Sequence, residues 1–84
     1  MSISAADSPS IRTLIAQVGS IAEVDIRTQD RLSEDLRIDS LDMAALLLDI
    51  EQFYGVVVDG PTVQLISTVG QLEALVGKSL GGRP

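Results

Sequence analysis

Nothing in this chain can cross-link it. Its 84 residues contain no cysteine and no histidine, so neither a disulfide nor a thiolate–imidazole metal site can staple the fold. A domain this small buries only a modest fraction of its surface and usually needs such help. The core must come from aliphatic side chains. Apolar residues make up 45% of the chain, with Phe53 and Tyr54 as its aromatics. That composition favours a small helical bundle over a sandwich, whose strands draw on aromatic and β-branched residues.

The helical periods are visible. Ser8 and Pro9 read as a cap and first helical position, and Ile11, Leu14, Ile15 and Val18 follow at i, i+3, i+4, i+7, one face of a helix that Gly19 can stop. From Ser20 to Asp39 no period holds. Ile21, Val24, Ile26, Leu32 and Leu36 are interleaved with charge, and they are expected to pin a long loop across the bundle. Asp39, with Asp42 three residues on, then caps a helix from about Ser40 to Tyr54, ended by Gly55. Met43, Leu46, Leu47, Ile50 and Tyr54 form its core stripe, with Leu41, Ala44 and Leu48 partly off it. Val56–Val58 has strand propensity without a partner strand and reads as an extended connector. Gly60-Pro61-Thr62 opens a short helix through Ile66. Thr68 caps a last one with Val69, Leu72, Leu75 and Val76 inward, stopping at Gly77. One domain, 1–84, is expected, with residues 1–7 and 80–84 as loose tails.

Charge and hydropathy exclude several functions. The net charge is −6, and the acids crowd the stretch from Glu23 to Asp59, where Arg27, Arg31 and Arg37 are the only cations. Such a field repels phosphate backbones, and too few aromatics exist to stack bases, so no nucleic-acid partner is expected. Basic protein surfaces are the natural partners, although acidity also keeps a small protein soluble. No segment reaches the roughly 18 apolar residues of a membrane span. The N-terminal MSISAADSPS lacks the basic and apolar regions of a secretory signal. A cytoplasmic monomer that does not insert into membranes is expected.

Ser40 stands where the charged loop gives way to the apolar helix. A serine nucleophile needs a base and an orienting third group, and no histidine exists to supply one. Lys78 is the chain's one lysine. The pairs Glu34–Asp35 and Asp39–Asp42 lack room for a water-excluding pocket in so small a domain. Taken alone, Ser40 is a helix-terminal residue whose oxygen can satisfy a free amide.

The wider stretch LSEDLRIDSLD, Leu32 to Asp42, changes this reading. It resembles the acyl carrier protein family, which commonly shows two acids and a leucine, two intervening residues, then Asp-Ser-Leu-Asp. The register continues without a gap from Ile26 through Tyr54, Val58, Ile66, Thr68-Val69, Leu72, Leu75 and Val76. The resemblance implies an all-α four-helix bundle with a long first loop and a short third helix, and a freestanding carrier rather than an enzyme. Ser40 would be the attachment point of 4′-phosphopantetheine, transferred from coenzyme A by a phosphopantetheinyl transferase that supplies the base and the metal ion. The reactive thiol would then belong to the cofactor. Asp39 and Leu41 would be read by that transferase. Leu41, Asp42, Ala44, Leu48 and Glu51 would form the docking face for acyl- or aminoacyl-loading ligases, synthases and transferases.

The chain departs from the family pattern at several places. Arg37 and Ile38 stand where many members have glycine and a small residue; Arg37 could engage the arm's phosphate or, the preferred reading, offset nearby acids. Ala45 replaces a frequent glutamate, and TVQLI, Thr62 to Ile66, lacks the usual acids. The resemblance leaves the pathway as fatty-acid, polyketide or another specialised acyl synthesis; the thinned acidic surface argues against universal service in fatty-acid synthesis and points to a dedicated partner in a specialised pathway. An aminoacyl or D-alanyl carrier and an unmodified adaptor are the alternatives. Phe53 either adds an apolar partner contact or packs under the Val56–Val58 connector, the commoner fate of an aromatic.

Overall fold

The computed structural model describes residues 9–81. Four helices follow in order: α1 (Ile11–Gly19), α2 (Ser40–Tyr54), α3 (Gly60–Val63) and α4 (Val69–Gly81), with a 3₁₀ turn at Glu23–Asp25 in the loop between α1 and α2. No strand occurs among the described residues, and the all-α bundle with its long first loop and short third helix is the architecture that the sequence implied.

Each boundary has a local cause, and some differ from expectation. The expected cap at Ser8 lies outside the described residues. Pro9 precedes α1 rather than opening it, and Ser10 is the cap, its hydroxyl accepting from the Thr13 N–H at 3.1 Å. At the other end the left-handed position falls to Ser20, φ 54°, not to Gly19. Gly19 is instead closely approached: a Cβ there would meet Ile21 Cδ1 at 2.8 Å and Ile38 Cδ1 at 2.9 Å, so those side-chain ends would have to shift. In α2 both expected ends hold, with Asp39 accepting from the Asp42 N–H at 2.8 Å and Gly55 left-handed at φ 69°. Asp59 caps α3, which ends at Val63. The stretch expected to stay helical through Ile66 tightens into i→i+3 bonds, Leu65 N–H to Thr62 O and Ile66 N–H to Val63 O. Thr68 and Gln71 cap α4 reciprocally: Thr68 Oγ1 accepts from the Gln71 N–H, and Gln71 Oε1 accepts from the Thr68 and Ser67 N–H groups. The helix runs past Gly77 to Gly81, so Leu80 and Gly81 are not tail. Gly77 is exposed with open space around its Cα, and its lower propensity, about 1 kcal/mol against alanine, does not end the helix.

The core is aliphatic. Leu14 and Ile15 of α1, Leu46 and Ile50 of α2, and Val69 and Leu72 of α4 have no exposed surface, each worth about 1.5–3 kcal/mol of transfer from water. The loop contributes Ile26, Leu32, Leu36 and Ile38, all buried, and thereby lies across the bundle as expected. Val24 does not join them; it stands on the 3₁₀ turn and is 89% exposed. Val56 is buried and Val57 exposed, an alternation that fits an extended connector without partner strands.

Two features lock the loop. One is a backbone seam against the start of α4: Val69 N–H to Asp30 O at 3.0 Å, Gly70 N–H to Thr28 O at 2.8 Å, and Leu32 N–H to Ser67 O at 2.8 Å. The loop's carbonyls thus occupy amides that a helix N-terminus leaves free. The other is Arg12 of α1, whose guanidinium donates to both Glu73 carboxylate oxygens on α4, to Ile26 O and to Thr28 Oγ1. Glu73 holds that guanidinium's pKa above its usual value through this hydrogen bond and its charge. Tyr54 ties the end of α2 to the start of the described chain, its hydroxyl donating to Pro9 O, and burial raises its pKa.

Candidate functional site

The site begins where the loop becomes α2. Leu36 and Ile38 are both buried, and the Ile38 N–H donates to Leu32 O at 2.9 Å, so the three residues before Asp39 are held at both ends. Between these anchors the chain must turn sharply. Arg37 adopts φ 59°, a left-handed conformation that costs a residue with a Cβ about 1–2 kcal/mol. Asp39 is extended and spends its carboxylate on the α2 cap. Ser40 is the first helical residue. It is exposed, and its hydroxyl has no partner among the described residues. The arrangement presents one hydroxyl to solvent from a backbone that cannot easily move.

Three of the four carboxylates considered for acid–base work are committed to structure, Asp42 contributing only its backbone N–H to the cap. Glu34 pairs with Arg31, Asp35 accepts from the Arg31 N–H at 2.8 Å, and Asp39 caps α2. Lys78 lies exposed in the last turn of α4. Among the described residues no group of three or more acids is placed to hold a metal ion, and no helix is long and apolar enough to cross a membrane. Arg37 shares a shallow cleft with Asp25, Asp30 and Asp35, and forms no ion pair with a described residue.

Along α2 the residues expected to face partners are largely open to solvent. Leu41 is 80% exposed and Leu48 53%; Ala44 and Glu51 are exposed, while Asp42 is half-buried. Ala44, Leu48 and Glu51 share a groove with Val57 and Val58 of the connector, so that connector forms its second wall. Phe53 is 43% exposed and lies outside the core: the α2 stripe that reaches the core ends in Leu46, Ile50 and Tyr54, and Phe53 falls off it. Leu65, 77% exposed after α3, was not singled out in the sequence, where an aliphatic residue beside Ile66 reads as core.

One cavity is lined in part by Met43, three residues after Ser40 on α2. It measures about 340 Å³ and is bounded by the loop, by Met43 of α2 and by the segment joining α3 to α4. Its walls come from residues far apart in sequence that the backbone seam brings together, which is why no motif marks them.

This geometry can be set beside known proteins. The family described as "Phosphopantetheine attachment site" matches residues 9–76. The chain belongs to the acyl carrier protein family. The acyl carrier protein of Thermotoga maritima is 34% identical over 71 residues, which cover 84% of this chain and 88% of that protein. That of Phytoplasma australiense is 31% identical over 70 residues, 83% and 92% of the two chains. That of Phytoplasma mali is 37% identical over 59 residues, 70% of each. Acyl carriers hold acyl groups on a covalently attached 4′-phosphopantetheine and do not themselves transform them. The prosthetic group needs a hydroxyl that is exposed, uncommitted and fixed in place. In this acyl carrier Ser40 fits all three needs.

Proposed function

We propose that Ser40 carries the 4′-phosphopantetheine arm, and that this carrier serves a dedicated partner in a specialised acyl pathway, polyketide synthesis among them. One observation carries the first part: an exposed, unpartnered hydroxyl at the first position of a capped helix, with buried residues fixing the chain just before it. Attachment joins Ser40 Oγ to the phosphorus that bears pantetheine. The pyrophosphate bond of coenzyme A breaks, adenosine bisphosphate leaves, and the hydroxyl proton passes to a base of the transferase. When bound, the group supplies a thiol that holds acyl groups as thioesters. The chain's own residues orient the site: Asp39 fixes the start of α2, and Leu41 beside the serine offers an exposed aliphatic contact to the transferase.

The docking face is Leu41, Asp42, Ala44, Leu48 and Glu51. Its exposed surface is more aliphatic than acidic, because Ala45 takes an acid's place and Leu41, Leu48 and Val57 project outward. That balance supports a particular partner over a generally basic one. The names of the relatives favour acyl over aminoacyl cargo.

Intact mass tests this. The protein is incubated with coenzyme A, magnesium and a broad-specificity phosphopantetheinyl transferase, alongside Ser40→Ala. One added phosphopantetheine on the parent and none on the variant is the expected result. No gain on the folded parent would make the chain an unmodified adaptor on a carrier fold.

A further inference from the structure

Arg37 is a cation with no counterion among the described residues. It is the basic residue nearest to Ser40 in the chain, three positions before it. Arg12 and Arg31 are engaged with Glu73 and Glu34. The Arg37 side chain has no such partner, although Asp25, Asp30 and Asp35 share its cleft. An arginine placed to offset acids would be paired with one. Two of these acids turn to the backbone instead, Asp30 accepting from the Arg27 N–H at 2.9 Å and Asp35 from the Arg31 N–H at 2.8 Å. The residue is also left-handed, φ 59°, where glycine would sit without strain. Outliers of this kind gather at functional sites.

Position and charge indicate what such a cation can meet. Leu36 and Ile38 bury one side of the segment, while Arg37, Asp39 and Ser40 are exposed on the other. Three residues span at most about 10 Å of backbone when fully extended, and the left-handed turn at Arg37 shortens that span. An arginine side chain on one side, and a serine bearing a phosphate on the other, together bridge it. A phosphodiester at Ser40 would add a negative charge to a neighbourhood that already holds Asp35, Asp39 and Asp42. Like charges at this range repel. A guanidinium presents a planar fork of donors that matches two phosphate oxygens at once, and Arg37 has that fork uncommitted.

We infer that Arg37 is a positioning residue for the arm: its guanidinium pairs with the phosphodiester at Ser40, offsets its charge, and holds the root of the arm on the loop side of α2. The inference rests on Ser40 carrying the arm. It gives the uncommitted cation its counterion in the loaded protein, where the unloaded one has none.

The test compares the ¹⁵N-labelled protein before and after loading with phosphopantetheine, each form verified by intact mass, alongside Arg37→Lys, Arg37→Gln and Arg37→Gly. The glycine variant removes the side chain without requiring a strained backbone, so it guards against a loss of fold. Two signals are read by nuclear magnetic resonance: exchange of the Arg37 Nε proton with water, and the ³¹P shift of the phosphodiester as salt is raised. Loading should slow the Nε exchange roughly two- to fivefold, the scale of an exposed ion pair. The ³¹P resonance of the parent should move with salt, which screens such a pair, towards the position that Arg37→Gln and Arg37→Gly already hold at low salt. Arg37→Lys, with the charge but not the fork, should fall between. Nε exchange that is already slow before loading and unchanged by it would return Arg37 to the acids of its cleft and overturn the inference. A ³¹P shift identical in the parent and in Arg37→Gln would overturn it as well. Either result leaves Ser40 as the attachment point, whereas failure of the folded parent to load would overturn both readings.

Discussion

Arg37 holds a left-handed backbone angle, φ 59°, that glycine would hold without steric cost. The consequence can be isolated by comparing two variants. Arg37→Ala and Arg37→Gly both remove the guanidinium from its acidic cleft, so charge effects cancel between them; only the Cβ differs. Alanine keeps the left-handed penalty of about 1–2 kcal/mol. Glycine escapes it but gives back about 0.4–1 kcal/mol through the greater freedom of its unfolded chain. The balance leaves Arg37→Gly more stable than Arg37→Ala by about 0.7 kcal/mol. For a domain of this length that is a difference in Tm of about 3–6 °C. In urea, with a slope of about 1 kcal/mol/M, it moves the midpoint by about 0.7 M. Urea unfolding followed by far-UV circular dichroism, with slopes fitted separately, measures it. If the two variants coincide, or alanine is the more stable, Leu36 and Ile38 do not hold the intervening residue left-handed, and the argument for a rigid address before Ser40 fails.

Two further outcomes follow from the loop and the third helix. Gly70→Ala would place a Cβ 2.7 Å from Thr28 Cγ2 and 3.2 Å from Thr28 O, and should destabilise the fold by about 1–2 kcal/mol as overpacking; Thr28→Ser, which deletes that methyl and keeps the hydroxyl for Arg12, should recover part of the loss in a double-mutant cycle of urea midpoints. Asp59 has its pKa lowered by its hydrogen bonds to Thr62, so its contribution is complete above the ordinary carboxylate range and disappears as the pH falls through the depressed value. Amide shifts of Thr62 and Val63 should therefore report loss of the α3 cap only below about pH 4, and Asp59→Asn should abolish that transition.

Much of the fold was legible because helices announce themselves by period and cap. The stripe from Ile11 to Val18, the cap at Asp39 and the stop at Gly55 each follow from one residue type at one spacing. The loop was harder. Ile26, Leu32 and Leu36 could be read as anchors from their hydrophobicity, but so could Val24, and only the 3₁₀ turn that carries Val24 outward separates it from the rest. Gly77 looked like a terminus because glycine often ends helices, but α4 continues through it to Gly81. At the candidate site Ser40 and its neighbours lie in one contiguous stretch and could be found there. The cavity walls could not, since Ser33 and Ser67 meet only once the loop is laid against α4.

That meeting has a consequence for how the protein is made. Synthesis proceeds from the N-terminus, and domains fold as units. While the chain is still emerging, the carbonyls of Thr28 and Asp30 have water for company, because the amides that will take them belong to Gly70 and Val69. Leu32 is likewise without Ser67. The segment leading to Ser40 therefore acquires its fixed shape only once the start of α4 has been delivered, and a rigid serine is the mark of a folded bundle rather than of a nascent one.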